Sequence, residues 1–175
     1  MSEPLVLPGT RVRLRTTTAD DKTALVSIRS TPAVHRWWRG VDLSAEFDDD
    51  LADHDVVRLT IEDPDGAIVG LVQFTEEEDP DYRHAGIDIY IDPSHHRRGF
   101  ASDAIRTLVD YLVEVRGHHR LIIDPSVDNH AAIGCYAGVG FEPVGVMRAY
   151  ERRGDGTWGD GLLMELVAED RIGSG

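Results

Sequence analysis

The sequence predicts an α+β (α/β) fold: a mixed central sheet of about seven strands, with a parallel β-α-β crossover at its core and helices flanking it. Three observations carry this. Residues 85–92 alternate apolar and polar, residues 99–116 repeat apolar positions at helical spacing, and residues 119–124 form a short apolar run, the pattern of a right-handed β-α-β unit. Segments 56–62 and 67–75 flank the turn Asp63-Pro64-Asp65-Gly66 and read as a hairpin. Segments 141–152 and 161–167 supply two further strands. A chain of 175 residues suits one domain over 1–175, burying roughly 70% of its unfolded surface, and it shows no repeat, low-complexity tract or linker.

From the N-terminus, Val12 and Leu14 alternate with Arg11, Arg13 and Arg15, so residues 10–16 form a half-buried strand. Thr18 with Asp21 three positions on resembles a capping box, and opens a helix whose apolar face is Leu25, Val26 and Ile28. Thr31-Pro32 starts a second helix carrying His35, Trp37 and Trp38, because proline fits a first helical turn. Residues 43–53 make a weak, acidic helix. Glu76 to Asp81 reads as an acidic loop in which Glu76, Glu77 and Glu78 are solvated. Within 85–92, Ile87, Ile89 and Ile91 share one face and Asp88, Tyr90 and Asp92 the other. Ala101, Ala104, Ile105, Leu108, Val109, Leu112 and Val113 then carry a helix to about Arg116. A last helix runs from about Asn129 to Ala137 and stops at Gly138 and Gly140.

Charge narrows the function classes. With 32 acidic residues against 18 Lys and Arg, the formal charge of −14 repels nucleic acid and anionic membrane and attracts cations. Fifteen Asp or Glu fall in residues 42–81 beside one Arg, Arg58, whereas His95 to Arg120 is locally basic. A GC-rich genome or a high-salt cytoplasm would also favour seventeen arginines over a single Lys22. Cys135 stands alone, which excludes an intramolecular disulfide; its place on the helical period reads as a buried small residue without a basic partner, not a nucleophile. No targeting segment and no run of ~18 apolar residues is present, so a cytoplasmic protein, monomer or homodimer, is expected. The adjacent pairs His95-His96 and His118-His119 have no carboxylate at ligand spacing, and no metal is expected.

In a β-α-β unit, ligands belong at the carboxyl ends of the strands. Asp92 to Ser102 is a basic loop with one glycine, Gly99, feeding a long helix; its free N–H groups, the helix dipole and Arg97 and Arg98 suit a pyrophosphate. Asp88 and Asp124 each lie opposite the isoleucine face of their strand. Both can look into one cleft, to bind an ammonium group or accept a proton; alternatively Asp124 caps the turn at Pro125 and Asp88 makes a structural ion pair. Trp37 and Trp38 fit a cleft wall or a core-and-rim pair equally, and Tyr136, three residues after Ile133, reads from spacing alone as core-facing.

His96-Arg97-Arg98-Gly99-Phe100-Ala101 resembles the (Q/R)-x-x-G-x-(G/A) loop of the GNAT superfamily of acetyl-CoA-dependent N-acetyltransferases, departing only at His96. Asn129 through Phe141 resembles that superfamily's N-x-x-A-x-x-x-Y-x-x-x-G-F segment, and the order of strands and helices is similar to the GNAT fold along nearly the whole chain. Val34 to Trp38, Gly70 to Gln73, Gly86 to Asp88, and Asp124-Pro125-Ser126 with Asn129 are most similar to aminoglycoside 6'-N-acetyltransferases. The resemblance implies acetyl-CoA held by His96, Arg97, Arg98, Gly99, Phe100, Ala101 and Ser102, by the backbone of Ile89, Tyr90 and Ile91, and by Asn129, Ala132 and Tyr136. It makes Tyr136 the proton donor to the departing thiolate, with Asp88 and Asp124 as further catalytic groups. It implies a small cationic amine met by Trp37, Trp38, Gln73, Asp88 and Asp124, and by Asp160 in a hairpin (Glu151 to Gly161) longer than the short turn of those enzymes. The function implied is 6'-N-acetylation of an aminoglycoside-like amine, an antibiotic-resistance activity. Alternatives are acetylation of a protein N-terminus, a polyamine or a siderophore lysine, or a non-catalytic acyl-CoA-binding module.

Overall fold

One strand escapes the alternation in the sequence. In the computed structural model, which describes residues 3–174, β1 (Val6–Pro8) pairs antiparallel with β2 (Arg13–Thr16) through a turn in which the Gly9 N–H donates to the Val12 carbonyl at 2.8 Å. Three residues are too few to show a period, and a strand ending in proline is tolerated at the sheet edge, where β1 lies. The sheet therefore has eight strands, not about seven.

A short turn at Ala19–Asp21, in which Asp21 accepts the Thr18 N–H at 2.9 Å, leads into α1 (Lys22–Ser30). α2 (Pro32–His35) begins on its proline, and α3 (Leu43–Ala52) is capped by Asp42, which accepts the Ala45 N–H at 3.0 Å. β3 (Val56–Glu62), β4 (Ile68–Glu77) and β5 (His84–Ile91) follow as an antiparallel meander. α4 (Phe100–Asp110) crosses to β6 (Arg120–Ile123), parallel to β5; α5 (His130–Val139), β7 (Glu142–Arg152) and β8 (Trp158–Val167) complete an order of β1-β2-β3-β4-β5-β6-β8-β7.

Both faces of the sheet are covered, which is why β4 is buried on both sides. α4 lays Ala104, Ile105, Leu108 and Val109 against Leu14, Ile61, Val72 and Ile87. On the opposite face Leu25, Ile28, Val34 and Phe47 pack on Leu71 and Tyr90. The predicted helix to Arg116 changes character after Asp110. Residues 111–115 form a π-helical turn closed by the Arg116 N–H on the Tyr111 carbonyl at 3.0 Å. Glu76 fastens the end of that helix, which stops at Gly117 (φ 73°) with the His118 N–H on the Leu112 carbonyl at 2.9 Å. It lies in β4, takes two 2.9 Å bonds from Arg116 and sits 2.7 Å from His118 Nε2, so the expectation of a solvated Glu76 is corrected.

The N-terminal half rests on a buried polar network. Arg15 bridges Asp21 (2.7 and 2.8 Å) and Glu62 (2.6 Å), and Thr60 Oγ1 donates to Asp21 at 2.9 Å; Asp21 and Glu62 are 2% and 6% exposed. Burial pushes both carboxyls up, but the Arg15 bonds with those of Thr18, Thr60 and Arg13 outweigh it and hold both below the ordinary carboxylate value. A lowered folded pKa contributes stability that is present above the unfolded pKa and lost as pH falls through the folded one. Thermal stability is therefore expected to fall once pH drops below about 4. Asp21→Asn should cost about 3 kcal/mol at neutral pH and flatten that acid dependence, because it leaves Arg15 partly unpaired. Thermal melts of both proteins from neutral pH to pH 3 check this; equal acid slopes would assign the acid sensitivity to other carboxylates.

Candidate functional site

β5 and β6 part early. Ala85↔Leu121 and Gly86↔Ile122 are their paired residues, yet β5 continues along β4 to Gly70↔Ile91. A cleft of about 1130 Å³ opens at this divergence, between the α4 loop, α5, the Trp37-Trp38 segment and β7. Ile89, Tyr90 and Ile91 of the parted β5 line it.

One end of the cleft is built for an anion. Asp92 caps its turn by accepting the Ser94 N–H at 2.9 Å, and a His96 ring nitrogen lies 3.2 Å from the Ile91 carbonyl, folding the loop back on β5. Arg97 (φ 63°) and Gly99 (φ 74°) then take left-handed backbone conformations. The first helical bond of α4 is Asp103 N–H to the Gly99 carbonyl, and among the described residues the N–H groups of 97–102 have no partner in the chain. The glycine requirement at 99 is one of backbone angle, since a Cβ there would come no closer than 3.7 Å to Arg11. The carboxylate of Asp103 fixes the loop from behind by accepting N–H groups of Arg11 (2.7 Å) and Val12 (3.0 Å), and Arg11 reaches the Arg98 carbonyl at 3.0 Å. His96, Arg97, Gly99, Phe100, Ala101 and Ser102 line the cleft, whereas Arg98 does not.

The other end is acidic. Asp88 and Asp124 both line it; the Gln73 amide lies 3.5 Å from Asp88, and the Tyr150 hydroxyl donates to Asp124. Desolvation by the cleft walls, then the Asp124 charge, push Asp88 above the ordinary carboxylate value against the opposing Gln73 bond. Tyr136, 8% exposed, lines the same cleft; its hydroxyl has no partner in the chain, and burial, then the charges of Cys135, Asp88 and Asp124, push its pKa up so that it stays protonated.

The walls resolve the open sequence readings. Trp38 packs edge-on against Tyr90 (4.8 Å, 73°) in the α1–α3 core, while Trp37 carries the Arg36 guanidinium at 4.6 Å; both line the cleft. Asn129 caps α5 by accepting the Ala132 N–H at 3.2 Å, and both face the cleft. Cys135, expected buried, is only half-buried on the cleft wall, its Sγ 3.4 Å from Ser102 Oγ. Asp160 lies off the cleft wall and accepts the Ala149 N–H at 2.8 Å. Glu151, at the start of the hairpin expected beside the acceptor, lines the cleft; Tyr150 lines it too and was missed, because a bulge at Ala149 (φ 50°) breaks the alternation that would have marked its face. Among the described residues no three His, Cys, Asp or Glu side chains are grouped as a metal site, and no helix is long and apolar enough to cross a membrane.

Comparison with known proteins places this geometry. Residues 11–142 match the acetyltransferase (GNAT) domain family. The chain is 28% identical over 100 residues to a spermidine N(1)-acetyltransferase of Vibrio cholerae, spanning 57% of each chain, and 28% identical over 140 residues to that of Escherichia coli K12, spanning 77% of this chain and 74% of the other. The structure of spermidine N-acetyltransferase from Vibrio cholerae in complex with CoA and spermine superposes with a TM-score of 0.79 at 21% identity, over 93% of this chain and 99% of that one. AAC(6')-Ib in complex with parmomycin and acetyl-CoA superposes with a TM-score of 0.77 at 24% identity, over 94% and 97%.

Proposed function

The chain belongs to the acetyltransferase (GNAT) domain family, and from that premise we propose that it transfers the acetyl group of acetyl-CoA to a primary amine of a small polycationic acceptor. The observation that carries this is the polarity of the cleft, lined at one end by Arg97 and Gly99 to Ser102, whose N–H groups have no partner in the chain among the described residues, and at the other by Asp88 and Asp124. The residues present fit acetyl-CoA. Arg97 and residues 99–102 would hold its pyrophosphate, the open β5 edge at Ile89, Tyr90 and Ile91 its amide-bearing arm, and Asn129 and Ala132 the wall beside it. Bound there, it supplies an acetyl thioester.

The rest is done by the chain. Asp88 and Asp124 attract and orient an ammonium group, and Gln73, Trp37 and Trp38 bound the space it occupies. Asp88, whose pKa burial and the Asp124 charge raise above that of an ordinary carboxyl, takes a proton from that ammonium and leaves a neutral amine. The Tyr136 hydroxyl, protonated and unengaged, holds a proton for the departing sulfur.

Two acceptor chemistries share this description. The spermidine acetyltransferases among the relatives support a polyamine. The local segments resembling aminoglycoside 6'-N-acetyltransferases, with the AAC(6')-Ib neighbour, support an aminoglycoside 6'-amine and a role in antibiotic resistance. Thiol release from acetyl-CoA, measured side by side with spermidine, aminoglycosides, lysine derivatives and Ala- or Ser-initiated peptides, decides between them. Turnover of a polycation above every peptide is expected, and the reverse would overturn the proposal. Asp124→Asn should raise the acceptor KM by the equivalent of about 1.5–3 kcal/mol, the worth of a hydrogen bond to a charged group.

Gly99→Asp places a side chain on a left-handed residue and a negative charge at the helix N-terminus. It should weaken acetyl-CoA binding by roughly tenfold or more in calorimetry; unchanged affinity in the folded variant would remove the pyrophosphate from this loop. Tyr136→Phe keeps the ring and removes the proton, so kcat should fall roughly 10²-fold with acetyl-CoA binding retained. An unaltered kcat with chemistry rate-limiting would make Tyr136 a packing residue.

A further inference from the structure

The contact between Tyr150 and Asp124 belongs to neither the family loop nor the α5 segment, and the chain goes to some length to make it. Ala149 is held in a left-handed conformation (φ 50°) that residues other than glycine rarely adopt, and the pairing of β7 with β8 slips between Met147 and Glu151. The Asp160 carboxylate secures that bulge through the Ala149 N–H at 2.8 Å. Gly161 makes room for it: a Cβ at 161 would stand 2.8 Å from Tyr150 Cδ1 and 3.1 Å from Met147 Cε.

The same short stretch of β8 also sets the position of Asp124. The Leu162 N–H donates to the Pro125 carbonyl at 2.8 Å, the Val127 N–H to the Asp160 carbonyl at 3.0 Å, and Ser126 bridges Gly161. Residues 160–162 are thus the common reference for a phenol on β7 and a carboxylate after β6. A strained residue secured by a dedicated carboxylate, aiming a side chain into a cleft, is an outlier from which function can be inferred.

Resting on the polycation reading above, we infer that Tyr150 is a positioning residue: it fixes the Asp124 carboxylate as the anchor for a second, non-reacting ammonium of the acceptor, and leaves Asp88 to deprotonate the reacting one. Tyr150 donates to Oδ2 of Asp124, and Oδ1 remains for the acceptor. At Asp88 an ammonium N–H bond breaks, its electron pair stays on nitrogen, and the proton forms an O–H bond on the carboxylate. The bond to Asp124, then desolvation, push the Tyr150 hydroxyl up to about 12, so the donor remains protonated through the neutral range. The acceptor class is accordingly an amine with a second cationic nitrogen, and monoamines lack the group that Asp124 holds.

The test compares spermidine with butylamine as acceptors for wild type, Tyr150→Phe, Asp124→Asn and the double variant, with acetyl-CoA binding by calorimetry as the check on folding. Tyr150→Phe should raise the spermidine KM about tenfold, by more than it lowers kcat, and reduce the spermidine-to-butylamine ratio of kcat/KM by a similar factor. In the Asp124→Asn background it should add nothing, since the two residues act as a unit. Asp160→Ala, which releases the bulge without touching the cleft, should reproduce the lost selectivity. Equal losses on both amines, or additive losses in the cycle, would make Tyr150 a structural residue only. An aminoglycoside takes spermidine's place in the comparison if it is the polycation turned over; wild-type turnover of a polycation with an unchanged ratio in Tyr150→Phe removes this assignment alone, whereas wild-type turnover of neither spermidine nor any aminoglycoside removes the polycation reading and the assignment with it.

Discussion

The early parting of β5 and β6 is the constraint on which the rest of the molecule depends. Two parallel pairs join the strands at Ala85 and Gly86, and then Asp124-Pro125 leaves the ladder. Proline has no N–H to donate, and the segment after it bonds instead to β8, through Leu162 to Pro125 and Val127 to Asp160. The cost is an open strand edge in the middle of a sheet, with backbone groups of β5 left for something other than a strand to satisfy. The chain turns that edge into a site by flanking it with α4 and α5, which meet where Ser102 approaches Cys135 and Arg106 reaches the Gly138 carbonyl at 3.3 Å.

Electrostatics then sorts the two ends of the opening. A net charge of −14 would by itself disfavour any phosphate-bearing ligand. The anion end overcomes this locally, with backbone N–H groups, a helix dipole and a basic loop that the long-range field does not reach within a Debye length of about 8 Å. At the opposite end the acidic character is concentrated in Asp88 and Asp124, where the second charge makes the first harder to ionise. One cleft therefore holds opposite preferences for charge without conflict.

Carboxylates also act as the fasteners of the scaffold. Asp103 gathers backbone N–H groups of Arg11 and Val12 onto α4, Asp21 and Glu62 close around Arg15, Glu76 holds Arg116 at the end of the α4 extension, and Asp160 secures the bulge in β7. Each bonds donors from another element, so each is tied to the tertiary arrangement and not to its own element. This gives part of the acidic composition a structural use as well as an electrostatic one.

The residues alone determined what local periodicity can report. The isoleucine alternation of β5, the unbroken apolar face of α4, the hairpin turn at Asp63 to Gly66 and the glycine loop before α4 each follow from what one element buries or how one backbone must bend. Those patterns reached the mixed sheet with its β-α-β crossover, and the resemblance of 96–101 and 129–141 to GNAT motifs supplied the acetyltransferase fold. Tertiary structure alone decided the rest. β1 is too short to carry a period; Glu76 is distinguished from Glu77 and Glu78 by its paired bonds to Arg116 and its contact with His118, some forty residues away; and Tyr150 meets Asp124 because β8 fixes the register of β7. Side-chain period is a property of a segment, whereas the partner of a buried charge or the aim of a bulged strand is a property of pairings across the chain, which only the assembled sheet specifies.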